Sequence, residues 1–166
     1  IFHNNWSMTW DNYGVKNPDT DIYWCDGNHE DHWTLAALES NEIQPRVYYM
    51  KRGSTLELPD GRTVLFMGGA NSIDRKYRRL GDDWFPEELI TQRQVMELPK
   101  VNVAMSFDDR DPSRKALSYI LEKYRPSMWF FGHWHTHKTG YTSRCKWTAL
   151  NMSCCTGWWK WLVKDA

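Results

Sequence analysis

The chain has 166 residues, enough for one domain with a sizeable hydrophobic core. Lys plus Arg and Asp plus Glu both number 21, and this balance argues against bulk electrostatic binding to nucleic acid or to an acidic membrane. The sequence shows no apolar stretch of membrane-spanning length, no signal peptide, and four cysteines without Cys-x-x-Cys spacing. We therefore expect a cytoplasmic protein with reduced thiols and no membrane span.

Short strands and turns dominate the first half of the chain. Residues 1–20 are rich in turn formers and carry no period, so we expect an irregular segment there. Asp31 is placed to cap a helix that runs to about Ser40. Short apolar runs predict four strands, the last two joined as a hairpin by a Pro-Asp-Gly-Arg turn: Asp21–Cys25, Arg46–Met50, Thr55–Leu58 and Thr63–Met67.

Helices and strands alternate in the second half. Pro86 suits a first helical position, and the two glutamates after it predict a helix that continues to about Leu98. A further helix is predicted from Pro112 to about Tyr124, with apolar residues on one face. Four more strands are predicted at Val101–Ser106, Ser127–Phe131, Lys146–Leu150 and Trp158–Val163. This order indicates one α/β domain of mixed sheets and helices over residues 1–166.

Two tetrapeptides that follow predicted strands carry side chains suited to metal chemistry. They are Gly27–Glu30, which reads Gly-Asn-His-Glu, and Gly132–His135, which reads Gly-His-Trp-His. Open α/β sheets build their sites just past the carboxyl ends of buried strands. Amide oxygens and imidazole nitrogens are ligands for divalent cations, so Asn28, His133 and His135 are candidate metal ligands. The alternative is a pair of structural histidines in a loop.

His29 directly follows a candidate ligand, so its ring can lie beside a metal without binding it. That position suits a general acid that protonates the leaving alkoxide as phosphorus is attacked, and Glu30 is placed to orient the ring. Arg52, Arg75 and Arg78 are candidate contacts for substrate phosphate, because guanidinium groups match phosphate oxygens. The alternative for each arginine is a solvated loop residue.

The order of these motifs resembles that of the calcineurin-like metallophosphoesterases. The resemblance rests on Gly27–Glu30, Leu65–Ala70, a strand ending at Ser106 and Gly132–His135, and the stretch 52–88 is similar to small bacterial and phage members. It implies a four-layer α/β/β/α sandwich and a site for two divalent ions (Mn, Zn, Fe or Ni). It also implies hydrolysis of a phosphomonoester or phosphodiester in a nucleotide, a phosphoprotein or a nucleic acid.

The resemblance also assigns roles to single residues. By the family pattern, Asn28 and His133 would bind one metal, His135 the other, and His29 would act on the leaving group. Phe107 stands where the family has a histidine ligand, and Asp108 could take over because carboxylates bind the same metals.

The family's opening motifs, an Asp-x-His strand end and a Gly-Asp motif, have no counterpart here. We therefore expect a member that lacks its first strands, and the exposed sheet edge would favour a homodimer. Two alternatives stay open. One is a non-catalytic binding or scaffold protein that kept this fold with a degenerate metal site. The other is a structural zinc site that joins His135 or His137 to Cys145 and Cys154.

Overall fold

A computed structural model describes residues 19–98, 112–142, 144–152, 155–158 and 160. The described residues divide into two compact units. The first contains those up to Leu98 together with the start of the last helix, as far as Ala116, and the second contains those from Leu117 onward. The single domain over residues 1–166 stays a prediction.

The first unit contains a three-stranded mixed sheet and a hairpin. The sheet has the order β1–β3–β2, in which β1 and β3 run parallel and β2 is antiparallel to β3. The strands are β1 (Ile22–Trp24), β2 (Glu42–Gln44) and β3 (Val47–Tyr49), and the antiparallel hairpin pairs β4 (Thr55–Glu57) with β5 (Thr63–Leu65). All four predicted strands of this half are confirmed. β2 was not predicted, because three residues with a single apolar side chain give no periodic signal.

Helix α1 covers His32–Ala37 and begins where the sequence predicts. Asp31 is its N-cap, and the Asp31 side chain accepts a hydrogen bond of 3.0 Å from the backbone N–H of Thr34. The carboxylate thus satisfies a donor that the first helical turn leaves unpaired. The helix ends at Ala37, three residues before the predicted Ser40, because Leu38 is already extended.

The predicted single helix after Pro86 is wrong. A 3-10 turn covers Pro86–Glu88, Leu89 is extended, and a separate helix α2 covers Gln92–Met96. The carbonyl of Leu89 accepts a hydrogen bond of 2.9 Å from Arg52 instead of joining a helical ladder. Thr91 then begins α2 with a capping box, a local start signal that competes with any helix running through it.

The second unit contains a mixed sheet with the order β6–β8–β7. Its strands are β6 (Met128–Phe131), β7 (Lys138–Tyr141) and β8 (Lys146–Ala149), with β6 parallel and β7 antiparallel to β8. Helix α3 (Pro112–Tyr124) precedes them, and the division between the units falls within it. The helix and two of the strands are confirmed. β7 was not predicted, because Gly140 interrupts its pattern where the backbone lies against the Trp147 ring.

Mixed sheets combined with helices confirm the α/β class, while the four-layer order stays a prediction. The predicted strand Val101–Ser106, Phe107 and Asp108 lie outside the described residues, as does most of the irregular segment 1–20. Of the predicted strand Trp158–Val163, only positions 158 and 160 are described, and neither is in a strand. None of the helices in the described part has the length and apolar character needed to cross a membrane.

Gly68 follows the hairpin at a point where the chain passes very close to Asp26. A Cβ atom added there would lie 2.6 Å from the main-chain oxygen of Asp26, which cannot move away without disturbing the end of β1. We expect Gly68→Ala to lower the free energy of unfolding by about 1–3 kcal/mol, measured in urea. Gly27→Ala is the control, because its Cβ would meet only a side-chain oxygen at 3.6 Å. Equal losses in both variants would contradict the close approach.

Candidate metal and phosphate site

A buried ion pair anchors the loops at one edge of the first sheet. β1 and β3 run parallel, so the loops that follow them leave from the same edge. There the Asp26 Oδ2 atom accepts from Arg52 Nε at 2.9 Å and Nη2 at 2.6 Å, and its Oδ1 accepts from the Tyr49 hydroxyl at 3.1 Å. The Arg52 side chain is 7 % exposed and that of Asp26 is 0 % exposed. Asp26 was not predicted, although a carboxylate directly before Gly-Asn-His at a strand end was the available signal.

Arg52 was predicted to contact substrate phosphate. In the structure its guanidinium is buried and points to protein oxygens: the Asp26 carboxylate, the Leu89 carbonyl at 2.9 Å and the Glu88 carbonyl at 3.3 Å. These contacts tie the loop after β3 to the loop after β1 and to the 3-10 turn. We therefore assign Arg52 an anchoring role, and its contact with substrate phosphate stays a prediction.

The Asn28 side chain is held by two further buried residues. Its Nδ2 donates to Ser72 Oγ at 2.9 Å. The Ser72 hydroxyl and backbone N–H donate to the two carboxylate oxygens of Glu88, at 2.7 Å and 2.6 Å. Asn28 is 8 % exposed, Ser72 2 % and Glu88 0 %. No local pattern singled out Ser72, and the pattern after Pro86 predicted a helical first turn for Glu88.

His29 lies beside the Arg78 guanidinium and is partly exposed to solvent. Arg78 Nη1 is 3.1 Å from the His29 Nδ1 atom and Nη2 is 3.2 Å from Nε2. A neutral imidazole has one acceptor nitrogen, so only one of these contacts is a hydrogen bond at a time. Partial burial, and after it the positive charge of Arg78, lower the pKa of His29. The structure thus brings together a predicted general acid and a predicted phosphate contact.

Other side chains hold Arg78 and the loop around His29 in place. Arg78 Nε pairs with Asp74 Oδ1 at 3.0 Å, and this hydrogen-bonded contact lowers the pKa of the Asp74 carboxyl. Glu30, predicted to orient the His29 ring, is buried, and its Oε1 accepts from the backbone N–H of Gly27 at 3.3 Å. It braces the loop that carries Asn28. Arg75, the third predicted phosphate contact, is exposed at the start of the 3-10 turn Arg75–Tyr77.

In the second unit, both predicted histidine ligands have an unusual backbone. They follow β6, where the carboxyl ends of the parallel strands β6 and β8 share one edge. His133 has φ 76° and His135 has φ 47°, in the left-handed region that side chains other than glycine seldom adopt. Such backbone strain gathers at binding and catalytic sites. Both side chains are exposed, and the His133 ring meets Trp134 edge to face at 6.3 Å.

The donor types fit a divalent cation. Imidazoles and amide oxygens bind Zn, Mn and Fe ions, and in Asn28 the Ser72 contact engages the amide nitrogen, so a cation would meet Oδ1. Among the described residues, which do not include Asp108, no three His, Cys, Asp or Glu side chains form a group that could hold a metal. For the alternative zinc site, Cys145 is a buried free thiol and Cys154 is outside the described residues.

His32 makes folding stability depend on pH. It is 6 % exposed, its Nδ1 lies 4.0 Å from Asp26 Oδ2, and burial lowers its pKa below 6.5. The unfolded chain then binds more protons than the folded chain below about pH 6.5, so the free energy of unfolding falls as pH falls through that value. The slope is at most about 1.4 kcal/mol per pH unit for one proton.

We expect His32→Gln to lose less stability than the parent between pH 7.5 and pH 5, measured by urea unfolding at each pH. Part of the slope stays, because the pKa of His29 is also lowered. The comparison uses the change with pH within each variant, so a constant cost of the substitution cancels. Identical slopes in parent and variant would contradict a lowered pKa at His32.

Comparison with known proteins settles the family. A search of curated proteins and a search of solved structures gave no significant match. The family model described as calcineurin-like phosphoesterase matches residues 3–137, which include both tetrapeptides, the Ser72–Glu88 contact and the Arg78 loop. Because this match covers most of the chain, the protein belongs to the calcineurin-like phosphoesterase family, whose members are generally metal-dependent hydrolases of phosphoesters.

Proposed function

We propose that the protein hydrolyses phosphomonoesters or phosphodiesters with the help of two divalent metal ions. The observation that carries this proposal is the loop after β1, where Asn28 is fixed through its amide nitrogen and the next residue, His29, faces an arginine. Family membership supports the same class of reaction. The substrate would be a phosphoester of a nucleotide, a phosphoprotein or a nucleic acid.

The metal ligands in this proposal are the predicted ones. Asn28 and His133 would hold one ion and His135 the other, with Asp108 in place of the family histidine where Phe107 stands. The ions would be Mn, Zn, Fe or Ni, and when bound they polarise the phosphoryl group and activate water. A four-layer α/β/β/α sandwich is the architecture that we propose around them.

The chain's own residues supply binding and proton transfer. Arg78 carries a permanent charge next to His29 and would hold a phosphate oxygen there, with the exposed Arg75 as a second contact. His29 would give its proton to the leaving oxygen.

Hydrolysis of two model substrates tests the proposal. The protein is stripped of metal with a chelator, and Mn²⁺ is added back to assays with 4-nitrophenyl phosphate, a monoester, and bis(4-nitrophenyl) phosphate, a diester. We expect metal-dependent release of nitrophenolate from at least one of them. Asn28→Ala should lower the rate at least about 10–100-fold. Asn41→Ala, at an exposed asparagine, is the control.

The opposite result has a definite meaning. If neither substrate is hydrolysed at any Mn²⁺ or Zn²⁺ concentration, the protein is the non-catalytic binding or scaffold relative. If the parent and Asn28→Ala hydrolyse a model substrate equally well, Asn28 is not a metal ligand.

We also propose a cytoplasmic location and a homodimer formed through a sheet edge. The location is supported by the free thiols of Cys25, Cys145 and Cys155. The dimer is supported by the general tendency of open edge strands to pair.

A further inference from the structure

The orientation of the Asn28 amide decides whether this residue can bind a metal. The two branches of an asparagine amide have nearly the same shape, but only the oxygen is a ligand. We propose that Ser72 and Glu88 are positioning residues that fix this amide with its nitrogen toward Ser72 and its oxygen toward a cation. This inference rests on the proposed function, in which Asn28 is a ligand.

The direction of the hydrogen bonds follows from the chemistry of Glu88. A carboxylate can only accept, and Glu88 accepts from both the backbone N–H and the hydroxyl of Ser72. Because the single hydroxyl proton of Ser72 points to Glu88, Ser72 Oγ can only accept a hydrogen bond from Asn28. Asn28 must therefore present its Nδ2, as it does at 2.9 Å. The amide is therefore oriented by two consecutive hydrogen bonds, in which Asn28 donates to Ser72 and Ser72 donates to Glu88.

The burial of Glu88 supports a role beyond local folding. It is 0 % exposed, and among the described residues no Lys, Arg or His side chain forms an ion pair with it. Burying a carboxylate is costly unless hydrogen bonds satisfy it, and here both of its oxygens are directed to Ser72. An uncharged residue of the same size would avoid that cost. The position therefore indicates a need for an acceptor-only group.

The backbone holds this chain of contacts rigidly. The Glu88 carbonyl accepts from the Ala70 N–H at 3.0 Å, and the Gly69 N–H donates to the Asp26 carbonyl at 2.9 Å. The turn that precedes Ser72 is thus bonded both to the 3-10 turn that carries Glu88 and to the loop that carries Asn28. Such secondary contacts around a ligand tune metal affinity, and their loss typically costs about 10–100-fold.

Glu88→Gln reverses the direction of the hydrogen bonds that join positions 28, 72 and 88, with almost no change in side-chain shape. The new amide oxygen can still accept the Ser72 N–H, which places the new amide nitrogen against Ser72 Oγ as a donor. The hydroxyl proton must then point to Asn28, whose amide turns over and presents its nitrogen to the cation. We expect Mn²⁺ affinity, measured by isothermal titration calorimetry, to fall about 10–100-fold. Glu87→Gln, at the exposed neighbour, makes the same charge change without the contact and should leave affinity unchanged.

A second substitution should restore binding. In the double variant Glu88→Gln with Asn28→Asp, the carboxylate at position 28 can accept from the Ser72 hydroxyl and still offer an oxygen to the metal. We expect it to recover most of the affinity that Glu88→Gln loses. If Glu88 were needed only for folding, Asn28→Asp would not restore Mn²⁺ affinity. Thermal unfolding of each variant without metal separates a folding defect from a binding defect.

The outcomes separate this inference from the proposed function. If Asn28→Ala weakens Mn²⁺ binding but Glu88→Gln and Ser72→Ala do not, the positioning role is overturned and the proposed function stands. If Asn28→Ala leaves Mn²⁺ binding unchanged, the ligand role itself fails. Should Glu88→Gln not fold, Ser72→Ala decides, because it removes only the hydroxyl, and unchanged affinity in that variant overturns the inference.

Discussion

Replacing Arg52 with methionine is expected to lower the free energy of unfolding by about 3–5 kcal/mol. The reason is the Asp26 carboxylate, which is 0 % exposed and receives two of its hydrogen bonds from Arg52. Without the guanidinium, the buried charge keeps the hydrogen bond from the Tyr49 hydroxyl at 3.1 Å but loses both of those from Arg52. The substitution also removes the contact to the Leu89 carbonyl, so the loops at this edge separate.

Urea unfolding measures this loss, with an exposed ion pair as the control. Arg93 pairs with Glu97 at 2.7 Å, but the two side chains are 87 % and 60 % exposed, so Arg93→Met should cost far less stability than Arg52→Met. Adding Asp26→Asn to Arg52→Met should recover part of the stability, because the buried charge is then gone. A loss at Arg52 as small as the loss at Arg93 would contradict the anchoring role.

Replacing His29 with glutamine is expected to lower kcat about 10²–10⁴-fold, the usual contribution of a general acid. Mn²⁺ affinity should stay at the parent value, since His29 lies beside the proposed site and is not one of its ligands. The loss should depend on the leaving group. A diester that releases an alkoxide needs the proton more than one that releases 4-nitrophenolate, so its hydrolysis should suffer more.

Steady-state kinetics with the two classes of diester checks this prediction. His137→Gln is the control, because that exposed histidine belongs to neither tetrapeptide. Equal losses for alkyl and aryl leaving groups would argue against proton transfer by His29. A parent-like rate in His29→Gln would exclude the role altogether.

Features that depend on neighbouring residues could be predicted from the sequence. The Asp31 cap, the hairpin between β4 and β5, and helix α3 were all placed correctly, because each is set by contacts within a few positions. The position of Asn28 and His133 just past strand ends followed from the same kind of pattern.

Features that depend on distant residues were missed. The Glu88 side chain is buried because Ser72, 16 positions earlier, donates a hydrogen bond to its carboxylate. No local sequence pattern contains that contact. The predicted helix is interrupted at Leu89, whose carbonyl accepts a hydrogen bond from Arg52, 37 positions earlier. The anchoring of Arg52 could not be foreseen for the same reason, since its partner Asp26 lies on another loop. Helix propensity predicts a continuous helix after Pro86, and these tertiary contacts override it.

The metal content of the purified protein tests the central proposal most directly. Protein prepared with manganese, and separately with zinc, is analysed by elemental mass spectrometry and normalised to folded chain. We predict about two ions per chain in the parent and a clear loss in Asn28→Ala, His133→Ala and His135→Ala. A content near zero, or a content that these three substitutions leave unchanged, would contradict a two-metal phosphoesterase site built on these residues.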